Sequence, residues 1–425
     1  MKLTAIIVNY SSGSLARTCA RSVRESWARV GASADLDLVV VDQPGQQDQS
    51  AHLEAIQRDG ARIVHSPVND GYAGGMARGL EGTVGCDEDL LLVLNPDVLL
   101  AEDCLLHLVA HLRLNQRAGI VAPRTWLDEG RTFLLPTPLL PGGRTELSDL
   151  TAGRWPWVAR RMAVRRARKD WRSWLTEQPV ECEMLPGSCL LMRRSLLKDL
   201  GVLLDPSFPL YYEDADLCSR VQAKELSTVL VPKAEAVHFG ARCSGTGEAF
   251  EGDPRARWRE SRDLYLARHA NWLGRWLVRI ADRWARTWQP RKVGRPAHQF
   301  RDLGTCHTAP PLELPSGGPW LVEMSLAPTF GFCAGAVLPG GTQFFPERTF
   351  DWLFEGKVYL RVLAPQDLRV YRCYAFTKAG GPMAQPDPHY FSGPGADNAQ
   401  RSTTLRGAAR GGVHWSDIRA WRQSA

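Results

Sequence analysis

Four short aliphatic runs, LTAIIV (3–8), LDLVVV (36–41), ARIV (61–64) and LLLVLN (90–95), alternate with segments of helical periodicity at 14–29, 50–59, 72–83 and 102–115. Such continuous apolar strands, rich in β-branched residues, leave no face for solvent. They belong in a parallel sheet covered by helices on both sides. Ligands of sheets of this kind gather beyond the carboxyl ends of the strands. The residues that follow each run are therefore the ones to read for chemistry: Asn9 and Tyr10, Asp42, Asn69 and Asp70, and then Asn95, Pro96 and Asp97.

The rest of the chain breaks this rhythm twice. A chain of 425 residues is too long for one small core, so two or three domains are expected. The loop LLPTPLLPGG precedes a very basic segment, RWPWVARRMAVRRARKDWRSWL (154–175), before α/β patterning returns over 181–240. Residues 254–290 read as helical, with Trp272, Trp276, Ile280, Trp284 and Trp288 four apart and Arg275, Arg279, Arg283 and Arg286 between them. QPRKVGRP (289–296) reads as a linker, and from about 305 short alternating runs such as VYLRVLA and LRVYRCYAF point to antiparallel strands. The expected division is an α/β domain over 1–290, holding a basic Trp-rich insert at 134–180 and basic amphipathic helices at 254–290. A β-rich domain, sandwich- or jelly-roll-like, follows over 300–425.

Composition narrows the function classes. Hydrophobic residues make up 44% and charged residues 23%, ordinary for a folded globular chain. No apolar run reaches the roughly 18–20 residues of a bilayer span. The start, MKLTAIIVNYSSGS, reads as a first strand and not as a signal peptide. Ten cysteines without a C-x-x-C pair argue against a zinc ribbon or a disulfide framework and for a reducing compartment. The net charge of +6 is unevenly spread: 154–172 carries eight Lys/Arg and one acid, Asp170, among Trp155, Trp157, Trp171 and Trp174. Cations with interfacial aromatics suit an anionic membrane surface. The alternative is a Trp stripe packed in a core with a solvated Arg face. No nucleic-acid-binding module is recognisable, so nucleic acid is not an expected partner.

Three segments carry candidate chemistry. Asp97 closes a buried strand at the ligand edge, where a carboxylate suits a hard divalent cation that bridges to phosphates; an Asx-type turn would use the same residue. VNDGYAGGMARG (68–79) does not match G-x-G-x-x-G, yet Gly74 and Gly75 would let backbone approach a phosphate and Arg78 would add charge. In YYEDADLCSRV (211–221), Glu213, Asp214 and Asp216 precede an apolar helical pattern through Leu217 and Val221. Acids at a helix start are favoured by the helix dipole, so capping alone would account for them.

In their order and spacing, AIIVNY (5–10), VVVDQPGQQDQS (39–50), NDGYAGGMARG (69–79), LLVLNPDV (91–98), GSCLLMRRSLL (187–197), YYEDADLCSRV (211–221) and HFGARCSG (238–245) resemble the family 2 glycosyltransferases of the GT-A fold. The likeness is strongest to bacterial rhamnosyltransferase-like members and spans about residues 3–270. It implies a Rossmann-like, mostly parallel sheet and an inverting transfer of a sugar from a nucleotide-diphosphate donor to a glycan acceptor. It also implies that the acceptor is polyprenyl-diphosphate-linked, for cell-surface polysaccharide at the cytoplasmic face of the membrane, with the enzyme bound peripherally. By the same resemblance Asn9, Tyr10 and Asp42 hold the nucleotide, while Gly74, Gly75 and Arg78 lie near the donor. Asn95 and Asp97 occupy the first and last positions of the D-x-D motif; Asp97, with His238, would hold Mg²⁺ or Mn²⁺. GSCLLMRR lies near the acceptor. Asp214 matches the catalytic base and Glu213 would orient it or touch the acceptor, while Asp216 caps the helix or pairs with an Arg. Gln43 and Pro44 stand where the family carries polar residues. A rival reading is a non-catalytic carbohydrate-binding protein with a degenerate GT-A domain and a β-sandwich module. A sugar nucleotidyltransferase would require a basic Gly-rich signature near the N-terminus, which is absent. For residues 300–425, glycan binding, self-association into a homo-oligomer, and covering of the catalytic domain all stay open.

Overall fold

The computed structural model describes residues 1–31, 35–45, 47–152, 155–208, 211–240, 254–287, 299–317 and 319–380. The expected elements fall close to where periodicity put them. In chain order they are β1 (Lys2–Tyr10), α1 (Gly13–Ala28), β2 (Asp35–Gln43), α2 (Ser50–Arg58), β3 (Arg62–His65), α3 (Gly71–Leu80), β4 (Leu90–Leu94), β5 (Val98–Leu100), α4 (Cys104–Leu114) and β6 (Ala118–Trp126). There follow α5 (Gly143–Ala152), α6 (Pro156–Trp174), β7 (Val180–Glu181), β8 (Cys189–Arg193), α7 (Leu196–Leu200), α8 (Glu213–Gln222), β9 (Ser227–His238), α9 (Pro254–His269) and α10 (Trp272–Thr287). The last are β10 (Arg301–Cys306), β11 (Pro311–Leu314), β12 (Trp320–Ser325), β13 (Ala334–Leu338), β14 (Gly341–Phe344), α11 (Glu347–Trp352), β15 (Gly356–Leu363) and β16 (Val370–Lys378).

The chain divides into two compact units, 1–124 with 137–142 and 177–271, and 125–136 with 143–176 and 272–425. The first is a mixed α/β layer structure. Its sheet runs β3-β2-β1-β4-β8-β6-β9-β5, with β7 beside β9. The four strands legible in the sequence are mutually parallel, and β8 joins β4 antiparallel. Strand alternation splits β1 between two helix layers: Leu3, Ala5 and Ile7 enter a core with Ala16, Val23, Ile56 and Leu108. Ile6 and Val8 face α3 on the other side. Covering both faces is why these strands read as continuously apolar.

The second unit holds a five-stranded sheet, β10-β16-β15-β12-β13, and a two-stranded ribbon, β11-β14, which share one apolar core through Leu312, Leu314, Val322, Leu360 and Phe376. The expected insert, 134–180, is divided between the units. Its helices α5 and α6 belong to the second unit, and polar bonds explain why. Trp171 Nε1 donates to Glu323 Oε1 at 2.8 Å, and Arg361 pairs with Glu323 while donating to the Ala163 carbonyl at 3.1 Å. The 125–136 segment is held in the same way. Glu129 accepts from Arg348 at 3.0 Å and from Trp352 Nε1 at 2.8 Å. Residues 381–425, part of the expected β-rich domain, lie outside the described residues.

Candidate active site

The site is built at the carboxyl edge of the parallel strands. The β1–β2 register sets Asn9 beside Asp42. The buried Asn9 amide donates from Nδ2 to Asp42 Oδ1 at 2.7 Å, while its Oδ1 accepts from Ser12 Oγ at 2.9 Å. One residue thus fixes both the Asp42 carboxylate and the turn into α1. Tyr10 is buried beside it. Gln43 is buried and donates to the Gly71 carbonyl at 2.7 Å, tying the end of β2 to the start of α3.

The Gly-rich segment forms α3, and packing by itself accounts for its glycines. A Cβ on Gly75 would stand 2.7 Å from Val8 Cγ1, and one on Gly74 would stand 2.3 Å from Asp70 Cβ. Both carbons are far inside van der Waals contact, so α3 approaches β1 only because Gly75 lacks a side chain, and Asp70 folds over the helix start only because Gly74 does. The Arg78 guanidinium, expected to face the donor, is ion-paired with Asp70.

Beyond β4, Asn95 N–H donates to the Ser188 carbonyl at 2.9 Å, one step past the last β4–β8 pair, Leu94 with Cys189. Asp97 is 2% exposed. Its position follows from the β5–β9 register, which pairs Val98 with His238, and from Phe239 N–H donating to the Asp97 carbonyl at 3.1 Å. His238 Nε2 therefore stands 3.3 Å from Asp97 Oδ1 and 3.4 Å from Asn95 Nδ2. The remainder of HFGARCSG, 241–245, lies outside the described residues.

A carboxylate, an imidazole and an amide converge here. Among the described residues no group of three or more His, Cys, Asp or Glu forms a metal cage. This donor set fits a divalent ion held by one carboxylate and one imidazole with the rest of its shell taken from phosphate and water, as Mg²⁺-type sites use one or two carboxylates plus substrate phosphates. The fit is to a shared site and not to a resident structural metal.

The acids of α8 separate into two environments. Tyr211 and Tyr212 both hold left-handed backbone, at φ 61° and 69°, a costly conformation for bulky residues. The reversal presents Glu213 and Asp214 at the helix start while Leu217 and Val221 are fully buried. Asp214 Oδ2 accepts from Gly187 N–H at 3.0 Å and Oδ1 from Ala215 N–H at 2.9 Å. Burial pushes the Asp214 carboxyl above its ordinary range, against those two backbone bonds. Glu213 Oε2 is buried with no hydrogen-bond partner among the described residues. Burial, and then the charge of Asp214, push the Glu213 carboxyl up. The two carboxyls thus differ in surroundings: Asp214 accepts two fixed N–H groups that favour its anion against burial, while burial and the charge of Asp214 raise Glu213 to about 8 and favour its protonated form.

Asp216 points elsewhere. It is 1% exposed, accepting from Arg220 Nε at 2.7 Å and lying 2.8 Å from His269 Nε2. Burial raises its carboxyl, but the bonds from His269 and Arg220 prevail and hold it below the ordinary range. Between the capping and pairing roles that the sequence leaves open, the structure gives pairing.

Tyr72 is the residue that sequence reasoning missed. Its hydroxyl donates to the Gly187 carbonyl at 2.9 Å, across 115 residues of chain. Burial raises its phenol, and the charges of Glu213, Asp214 and Asp97 raise it further, so it feels both carboxylate clusters at once. Nothing local in NDGYAGG distinguishes it from a packing aromatic.

Fold and site together define an α/β protein with its candidate chemistry at a strand edge. The family described as Glycosyltransferase like family 2 matches residues 2–263, and the chain belongs to it. It is a glycosyltransferase of the rhamnosyltransferase-like kind. The N-acetylglucosaminyl-diphospho-decaprenol L-rhamnosyltransferase of Mycobacterium tuberculosis is 29% identical over 242 residues, 53% of this chain and 74% of that protein. The low-salt glycan biosynthesis hexosyltransferase Agl10 of Haloferax volcanii is 24% identical over 251 residues, 56% of this chain and 66% of the relative. Among solved structures, the mannosyltransferase PcManGT of Pyrobaculum calidifontis, in complex with GDP-Man and Mn²⁺, aligns with TM-score 0.38 at 16% identity, over 69% of this chain and 76% of that one.

Proposed function

We propose that the chain transfers a sugar, rhamnose being the first candidate, from a nucleoside-diphosphate donor to a hydroxyl of a polyprenyl-diphosphate-linked glycan, with inversion at the anomeric carbon. The observation that carries this reading is the Asp214 carboxylate, held as an acceptor by two backbone N–H groups beside Glu213, whose carboxyl burial and Asp214 push up. A sugar hydroxyl attacks well only when a positioned base takes its proton in the transition state. Asp214 takes that proton as the hydroxyl oxygen bonds to the anomeric carbon and the nucleoside diphosphate leaves from the opposite face. Glu213, protonated, donates a hydrogen bond to an acceptor oxygen. Asn9, Tyr10 and Asp42 hold the nucleoside. Gly74, Gly75 and Arg78 line the donor side through backbone and charge.

Asp97 and His238, with Asn95, would hold a Mg²⁺ or Mn²⁺ ion, which when bound stabilises negative charge on the departing diphosphate. Within this proposal residues 1–290 carry the transfer activity and residues 300–425 are accessory. The lipid-linked acceptor is inferred from the mycobacterial relative's named substrate. We take the work to be at the cytoplasmic membrane face, as part of cell-surface polysaccharide assembly. No helix among the described residues is long and apolar enough to cross a membrane. The exposed tryptophans of α10 support peripheral contact with an anionic surface.

The test is a screen of nucleotide sugars with purified protein, reading released nucleoside diphosphate in the presence of acceptor, with and without chelator. Release that requires acceptor, and is lost with chelator or in Asp97→Ala, supports the reading. Full activity in excess chelator removes the metal from it. Absence of release with every donor refutes transfer.

A further inference from the structure

The second unit contains a groove of about 790 Å³ between α5, α6 and α10 that the transfer chemistry does not use. Its floor and walls include Leu147, Thr151, Val158, Met162, Leu277 and Ile280. The two hydroxyls that α5 contributes to it are already satisfied: Thr151 Oγ1 donates to the Leu147 carbonyl at 2.8 Å and Ser148 Oγ to the Arg144 carbonyl at 2.7 Å. Hydrocarbon can therefore lie along α5 without stranding either hydroxyl. The helices that form it are held close. A Cβ on Gly143 would lie 2.5 Å from Gly274 Cα, so α5 and α10 touch backbone to backbone there.

The rim has a different character. Trp157, Trp276 and Trp284, all bordering the groove, are 66%, 54% and 56% exposed. The Trp stripe of α10 is thus a surface feature; among its described side chains only Val278 is buried. Trp288 of the expected stripe lies outside the described residues. Large exposed indoles are typical of an apolar–water boundary. Arg161 and Arg165, four apart on one face of α6, also line the groove and have no ion-pair or hydrogen-bond partner among the described residues. Arg166, by contrast, is paired with Asp149 at 2.9 Å.

We propose that this groove seats the proximal isoprenoid chain of a polyprenyl-diphosphate carrier, with the diphosphate held by Arg161 and Arg165. The inference rests on the reading of a lipid-linked acceptor given above. Charge complementarity selects the occupant: two adjacent guanidiniums beside one apolar trough match two phosphates joined directly to a single hydrocarbon chain. A bilayer phospholipid offers one phosphate and two chains. The volume lies within the range of about 300–1,000 Å³ typical of small-ligand sites.

Geranylgeranyl diphosphate, below its micelle concentration, is the probe, titrated into the full chain by calorimetry with inorganic diphosphate as the comparison. Saturable one-to-one binding is expected, at least tenfold tighter than inorganic diphosphate. Thr151→Trp, which fills the trough, and Arg161→Gln with Arg165→Gln, which removes the charge, should each weaken it at least tenfold with melting temperature unchanged. Ile280→Arg serves if the filling variant misfolds. Absence of saturable binding, equal binding of inorganic diphosphate, or wild-type affinity in folded variants overturns the proposal. Phosphatidylglycerol vesicles without isoprenoid separate the sources: retention of vesicle binding by Thr151→Trp supports a carrier site, and its loss makes bulk lipid the occupant and refutes it. If the probe binds but no lipid-linked acceptor is glycosylated, the functional reading fails while the groove stands. If such an acceptor is glycosylated equally by all variants, the groove assignment fails alone.

Discussion

Replacing Asp214 by Asn keeps the side chain's shape and removes the base. In the wild type one carboxylate oxygen meets Gly187 N–H at 3.0 Å and the other meets Ala215 N–H at 2.9 Å. An amide offers one acceptor oxygen, so one N–H would face an NH₂ group, a loss of about 1–3 kcal/mol. Removing the Asp214 anion offsets part of this, because burial already disfavours its charge. The net change should be near 1 kcal/mol, or about 2–4 °C in melting temperature for a domain of this size. Catalysis has no such offset: loss of a positioned general base should lower the transfer rate by about 10²–10⁴-fold, equivalent to about 3–5 kcal/mol of barrier. The assay is transfer rate at saturating donor, with donor affinity and melting temperature measured on the same preparations. Donor affinity should survive. The wild-type rate should also fall on acidification with a midpoint above the ordinary carboxylate range, since the base works as an anion. A fully active Asp214→Asn, or an Asp216→Asn variant that is inactive while equally stable, would show that the base has been assigned to the wrong acid.

Glu213 keeps in the folded chain a proton that the unfolded chain releases: its carboxyl rises from 4.5 to about 8. Its contribution to stability is therefore present at low pH and lost as pH rises through that window. Glu213→Gln should flatten the fall of melting temperature between these values and leave the acid side unchanged; an unaltered profile would disprove the assignment. Asp216→Asn breaks a buried pair with Arg220 and His269 and should cost about 3 kcal/mol in denaturant unfolding, with donor affinity intact in the folded fraction. Gly75→Ala places a Cβ 2.7 Å from Val8 and should cost about 1–3 kcal/mol by overpacking; a neutral result would mean that α3 can withdraw from the sheet.

By itself the sequence determined β1 to β4, the helices between them and the start of α8, because hydrophobic periodicity is local and each element announces its own buried face. It also marked Asp42, Asp97 and Asp214 as residues at strand ends or a helix start. What each of them meets was decided only in three dimensions. Asp97 meets His238 because β5 and β9, far apart in the chain, pair in one register. Asp214 gains its anion-stabilising N–H from Gly187, and Tyr72 joins them, through backbone positions that carry no side-chain signal. In one dimension the glycines of α3 look like a phosphate loop; in three, Gly75 also lets the helix sit against Val8 of β1. The Trp–Arg segments were legible as unusual, yet a buried stripe and an exposed one have the same spacing. Only packing chose exposure for α10 and joined α5 and α6 to the second unit, because burial depends on which neighbouring surfaces arrive and not on the pattern of the helix itself.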